Sequence, residues 1–156
     1  MKPLEFSILL VLAEGPEYGY GIVKRIAEAG AGGIRLAPSN LYYVLDRMLA
    51  PFEARLTGEA FPGAGRRVLD VGCGAGATTL AMARRLGPDG LALGVDISEP
   101  LVAAARARAA AEGLDGAAFV AADAQTCRFE PGDFDAVISR FGVMFFEDPE
   151  AAFANI

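Results

Sequence analysis

Arg67-Val68-Leu69-Asp70-Val71-Gly72-Cys73-Gly74-Ala75-Gly76 is the stretch on which the fold of this 156-residue chain turns. Its first five residues read as a short buried strand, and the glycines after them read as a tight turn into a helix. That helix is expected over 78–86 and is ended by Gly87-Pro88. Further along, a second strand is expected over 91–95, an Ala- and Arg-rich helix over 99–112, and a third strand over 117–121. A fourth strand follows over 134–139, and a last helix starts near Asp148. Strand, glycine turn, helix, strand, helix, strand is the pattern of a doubly wound α/β sheet with parallel strands. Ligands of such sheets bind beyond the carboxyl ends of the strands, where the motifs of this chain fall.

Toward the amino terminus the pattern changes near Ala50-Pro51. Three short helices are expected before it. The first, over 3–13, carries Leu4, Ile8, Val11 and Leu12 on one stripe and stops at Glu14-Gly15-Pro16. The second, over 19–29, places Ile22, Ile26 and Ala29 on one face. The third starts after Pro38 with Ser39 as its N-cap and Leu41, Val44, Leu45 and Met48 as its buried face. A separate helical stretch is expected over 52–60, followed by a loop at Pro62-Gly63-Ala64-Gly65.

Composition narrows the function classes. Hydrophobic residues make up 53% of the chain, enough to require a buried core. The net charge of −6 argues against binding nucleic acid through overall charge and suits a ligand that carries positive charge. The two cysteines, Cys73 and Cys127, lie in no metal-ligand spacing, and the chain has no histidine. No metal site of the usual Cys/His kind is expected, and the commonest general base is missing. The cysteines read as free thiols in a reducing cytoplasm. The apolar run 6–13 is too short for a membrane helix, and no membrane span is expected.

The glycine loop alone is ambiguous, because Gly72-x-Gly74-x-x-Ala77 also fits a dinucleotide fingerprint. Charge separates the two. A dinucleotide places a pyrophosphate at this loop, and Asp70 beside it would repel one. S-adenosylmethionine (SAM) brings an ammonium, a sulfonium and a carboxylate but no phosphate, and Asp70 can attract its cationic end. Asp96 stands twenty residues beyond Gly76 at the end of the second strand, where an acid can accept from both ribose hydroxyls. It can also serve as an acid at the start of the next helix, although Ser98 is the better cap candidate. Asp123, followed by Ala124 and Gln125, can accept from an adenine amino group while the Ala124 backbone donates to a ring nitrogen; a loop-capping Asp is the alternative.

Four motifs follow in order. They are Val68 through Gly76, Gly94-Val95-Asp96-Ile97-Ser98, Ala122-Asp123-Ala124-Gln125, and Phe134-Asp135-Ala136-Val137-Ile138-Ser139-Arg140-Phe141-Gly142. Together they resemble class I SAM-dependent methyltransferases of the small-molecule group that includes quinone-biosynthesis C-methyltransferases. The resemblance implies a Rossmann-like sheet of about four strands, an incomplete version of that family's seven-stranded fold, preceded by a small three-helix segment. It implies SAM as cofactor, with backbone around Gly72 and Ser139 at the methionine end, Asp96 on the ribose and Asp123 at the adenine. The candidate cofactor residues are Asp70, Gly72, Cys73, Gly74, Gly76, Asp96, Ile97, Asp123, Ala124 and Ser139. A small-molecule methyl acceptor is expected, and no general base is assigned; Arg140, Glu147 and Asp148 are nearby candidates. A fourth-strand edge exposing Val137, Ile138, Phe141, Phe145 and Phe146 is also expected, open to a second copy or a completing partner chain.

Residues 1–48 resemble a different family. Leu10 through Pro16, Tyr18-Gly19-Tyr20-Gly21-Ile22, and Leu36 through Leu45 are similar to PadR-type winged-helix regulators lacking the wing. By that resemblance Ser39, Asn40, Tyr42 and Tyr43 would lie near DNA. Two domains are therefore expected, 1–48 and 49–156. Besides methyl transfer, two readings stay open: a PadR-like regulator with a SAM-binding module, and a non-functional fusion of two truncated families.

Overall fold

The computed structural model describes residues 24, 25 and 38–156. Lys24 and Arg25 are helical; the rest of the helices expected over 3–13 and 19–29, and the PadR-like motif residues before Pro38, lie outside the described residues. The chain forms two compact units, Met1–Pro51 and Phe52–Ile156.

Helix α1 spans Pro38–Glu59 with Pro51 inside it. Two helices separated at the proline were expected. Proline lacks a helix N–H and its ring crowds the preceding turn, yet the helix continues through it, with good helix formers on either side (Leu49, Ala50, Glu53, Ala54, Arg55 and Leu56) and Leu56 packed on the sheet core.

The second unit is a parallel sheet with strands β1 (Arg67–Val71), β2 (Leu91–Asp96), β3 (Ala117–Ala121) and β4 (Ala136–Ile138), in the order β3-β2-β1-β4. Helix α2 (Ala77–Leu86) connects β1 to β2, and α3 (Glu99–Glu112) connects β2 to β3. After β4 come a single 3-10 turn at Gly142–Phe145 and helix α4 (Pro149–Asn155), N-capped by Asp148, whose carboxylate accepts from Ala151 N at 3.0 Å. The α/β sheet expected from the glycine-loop stretch is the fold observed.

Alternation along β1 divides its side chains between two cores. Val68 packs with Met82, Leu86, Ala92 and Ile138, under Leu56, Ala60 and Phe61. Leu69 and Val71 point the other way, to Val95, Ala124, Phe134, Val143 and Phe146. Leu80, Val102, Ala105 and Phe119 form a third core beneath α3. Each fully buried side chain of the size of Leu69 or Leu80 contributes about 1.5–3 kcal/mol.

β4 is shorter than the strand expected over 134–139. Side chains take over where the ladder stops. The Asp135 carboxylate accepts from Arg67 N at 2.8 Å and from the Arg66 guanidinium at 3.0 Å. At the other end Ser139 Oγ donates to Val71 O at 2.8 Å and accepts from Val143 N at 3.2 Å. The flanks of β4 expected to be exposed are only partly so. Val137, Phe141 and Phe145 are exposed, whereas Ile138 is buried in the α1–α2 core. Phe146 packs toward Leu69 and Val71 and meets Phe153 edge to face at 5.9 Å. Among the described residues no helix is long and apolar enough to cross a membrane, and no cluster of His, Cys, Asp and Glu could hold a metal ion.

Candidate functional site

Asp70 is the next-to-last residue of β1, in the middle of the sheet, and only 1% exposed. Its Oδ2 accepts from Thr79 Oγ1 of α2 at 2.7 Å. Its Oδ1 is buried without a hydrogen-bond partner. Burial pushes the carboxyl up to about 7, against the Thr79 hydrogen bond and the nearby positive charge of Arg140; the charges of Asp96 and Glu53 push the same way as burial. A cation placed at the free oxygen would offset the cost of burying the charged carboxylate and would be drawn to it.

The loop after Asp70 is set by contacts that permit no side chain at key points. Gly72 has φ 72°, and a Cβ there would lie 2.5 Å from Gly142 Cα, so the turn after β4 closes directly on this glycine. Gly76 has φ 83°, and its Cβ would meet Ala105 and the Phe119 ring at 2.8 and 2.9 Å. Gly74 differs: a Cβ there meets nothing within 4 Å, which leaves open space above the loop. Gly72 N and Cys73 N both donate to Val95 O, at 2.8 and 3.1 Å. From α3, Arg108 donates to Ala75 O at 2.7 Å. The Cys73 side chain is buried in the α3 core, and burial together with Asp70 and Asp96 raises its thiol far above the usual range. Any part Cys73 plays in the loop therefore falls to its main chain.

Asp96 ends β2 and ties the loop together. Its Oδ2 accepts from Gly74 N at 2.8 Å and its Oδ1 from Ser98 N at 2.9 Å. Ser98 occupies the N-cap position of α3 without the side-chain cap bond expected of it, and Asp96 holds its N–H just ahead of the helix. Each oxygen of Asp96 keeps a lone pair for a further donor. Ile97 beside it is 79% exposed. One strand further, Asp123 Oδ1 accepts from Gln125 N at 2.9 Å, the loop-capping geometry that was one of its two expected roles. Gln125 Oε1 accepts from Glu147 N and Asp148 N at 2.8 and 3.3 Å, joining this loop to the segment before α4. Ala124 is buried, and its carbonyl accepts from Asn155 Nδ2 at 2.9 Å.

Asp70, the glycine loop, Asp96 and Ser139 are thus linked in one bonded cluster at the carboxyl ends of β1, β2 and β4. Asp123 and Ala124 follow at the end of β3, where Ala122 N donates to Asp96 O at 3.0 Å. The side chains of Ser39, Asn40, Tyr42 and Tyr43, in the first turns of α1, lie outside the described residues. Sequence reading missed Thr79, Arg108 and Glu53. Thr79 carried a usable signal, since it lies on the face of α2 that turns toward β1. The other two are ordinary surface residue types until the fold brings them in.

A row of carboxylates on strand ends around a glycine loop suits a polyhydroxylated ligand with a cationic group and disfavours a pyrophosphate. The model of a family described as a methyltransferase domain matches residues 68–156, more than half of the chain. The chain belongs to this methyltransferase-domain family. The methyltransferase domain is 36% identical over 105 residues to aklanonic acid methyltransferase DauC of Streptomyces sp. (strain C5), covering 67% of this chain and 48% of that one. It is 38% identical over 105 residues to nocamycin O-methyltransferase of Saccharothrix syringae, covering 67% and 38%. Among solved structures, a TehB-like SAM-dependent methyltransferase from Corynebacterium glutamicum superposes with a TM-score of 0.55 at 29% identity, covering 73% of this chain and 62% of that one. The chain thus spans about half or less of the length of these two curated relatives.

Proposed function

We propose that this methyltransferase domain binds SAM at the carboxyl end of its sheet and serves methyl transfer to a small-molecule acceptor. The observation that carries this reading is the buried, partnerless oxygen of Asp70 at the foot of the glycine loop. An orphaned carboxylate oxygen there fits the ammonium of the methionine end, and the open space above Gly74 fits a ligand lying across the loop. The relatives' names, aklanonic acid methyltransferase and nocamycin O-methyltransferase, support a small-molecule acceptor.

On this reading Gly72, Cys73, Gly74, Gly76 and Ser139 approach the methionine end through their main chains. Asp96, already holding Gly74 and Ser98, accepts from the ribose hydroxyls beside Ile97. Asp123 faces the adenine amino group, and the Ala124 N–H a ring nitrogen. Bound SAM supplies a methyl group made electrophilic by its sulfonium. The chain's own residues orient that group and exclude water, which is where most of the rate enhancement of such a displacement arises. Of the nearby candidate bases, Arg140 pairs with Glu53, and Asp148 caps α4. Glu147 alone is left as an uncommitted carboxylate. We also propose residues 1–48 and 49–156 as separate domains; the division into units at Pro51 supports this.

Calorimetric titration with SAM tests the reading. Saturable binding is expected, weakened about tenfold or more by Asp96→Ala, since two charge-assisted hydrogen bonds are lost. A folded protein that takes up no SAM would overturn it.

A further inference from the structure

Val68 and Ile138 lie on the sheet face covered by Leu56 of α1 and by Ala60 just after it. Asp70, two residues beyond Val68 and in register with Ile138, shares that face, and Thr79 of α2 meets it there. One turn ahead of Leu56 stands Glu53, whose carboxylate accepts from the Arg140 guanidinium at 3.5 Å. The two side chains are only 21% and 14% exposed. Arg140 lies two residues past Ile138, so this pair closes over the end of the β1–β4 ladder, where Asp70 sits. Phe52 and Phe141, the chain neighbours of that pair, meet edge to face at 6.4 Å. Phe141 has φ 74°, a left-handed conformation that a bulky side chain adopts only when its surroundings enforce it. The turn presenting Arg140 is therefore held from α1 in a conformation it would not take alone.

We propose that the Glu53–Arg140 pair tunes the ligand-binding carboxylate: Arg140, held by Glu53 of α1, keeps a positive charge near Asp70, and so sets the pH range over which the site accepts a ligand ammonium. This rests on the SAM reading above. Among the described residues, the Thr79 hydroxyl from α2 bonds Asp70, and the charges that act on it are those of Arg140 from the turn after β4, Asp96 from the end of β2 and Glu53 from α1. Arg140 supplies the positive charge among them. Burial pushes the Asp70 carboxyl up to about 7, and the positive charge of Arg140 works against that rise. An ammonium binds the ionised form, so affinity rises as pH rises through that value, and removing Arg140 moves the rise to higher pH.

Two readouts on the same proteins test this: carbon-13 NMR titration of the Asp70 carboxyl without ligand, and calorimetric affinity for S-adenosylhomocysteine across the pH range in which Asp70 titrates. Asp70→Asn assigns the NMR signal. Arg140→Met is expected to move the Asp70 midpoint up by about one unit or more, and Arg140→Lys by less. Glu53→Gln, which removes a negative neighbour, is expected to move it down. Affinity at neutral pH falls about tenfold in Arg140→Met, and the gap closes as pH rises past the displaced midpoint. A midpoint unmoved in both Arg140→Met and Glu53→Gln overturns the proposal, as does an affinity loss equal at every pH, which marks a purely structural role. Should Arg140→Met fail to fold, the Glu53→Gln shift decides. If the folded wild-type protein binds no S-adenosylhomocysteine, the SAM reading is what fails, and the midpoint shifts alone judge the electrostatic coupling.

Discussion

At the scale of single residues, Asp70 sets stability against ligand affinity. Its carboxyl lies near 7 when folded and near 3.8 ordinarily, because burial disfavours the charged form. The folded chain therefore holds a proton that the unfolded chain releases. Stability from this group is complete below the ordinary value and is lost as pH rises through about 7. Asp70→Asn, which keeps a hydrogen-bonding group for Thr79 without the charge, should raise the melting temperature at pH 8 by the equivalent of roughly 2–4 kcal/mol, with the gap shrinking toward pH 5. A gap that does not change with pH would contradict this. Two glycines of the same loop should behave oppositely. Gly72→Ala places a Cβ against Gly142 Cα, and chemical denaturation should show a loss of about 2–4 kcal/mol. Gly74→Ala meets no atom, and its cost should be only about 1 kcal/mol of backbone strain. That same methyl group occupies the space proposed for the ligand, so SAM affinity should suffer more than stability.

Among elements, β4 shows how much side chains can do at a strand's ends. Ser139 Oγ both donates to Val71 O and accepts from Val143 N, so Ser139→Ala leaves a carbonyl and an amide short of partners and should cost about 1–3 kcal/mol in denaturant unfolding. The central strands and their helices were legible in the sequence because apolar runs bounded by glycines leave few other structures open. Periodicity did not show where β4 would stop: Asp135 and Ser139 end it through hydrogen bonds to β1, a strand distant in sequence. The break expected at Pro51 did not occur: a proline weakens a helix without ending it where the next turn is held by packing, here Leu56 on the sheet core. Within the candidate site, Asp70, Asp96 and the glycines announced themselves by spacing from strand ends. Arg140 stood within the fourth motif, but its pairing with Glu53 did not show, since an ion pair between a helix and a turn 87 positions apart leaves no local pattern.

For the molecule as a whole, the described sheet has β4 at one edge, with Val137 46% exposed. Exposed apolar edges recruit other strands, so light scattering should detect concentration-dependent association, and Val137→Lys should reduce it without lowering the melting temperature appreciably. Association unaffected by this change would place the sticky surface elsewhere.

The strand order also dictates a timetable. β1 meets β2 with Arg67 beside Leu91, and β2 meets β3 with Ala92 beside Ala117, but β1 meets β4 only when Val68 reaches Ala136. The first two pairings close short crossovers and the third a chain segment nearly three times as long, at greater entropic cost. As the chain leaves the ribosome, one side of its most buried strand must stay bare until almost the whole described length has been made. That interval is when a chaperone has most to gain from meeting this protein.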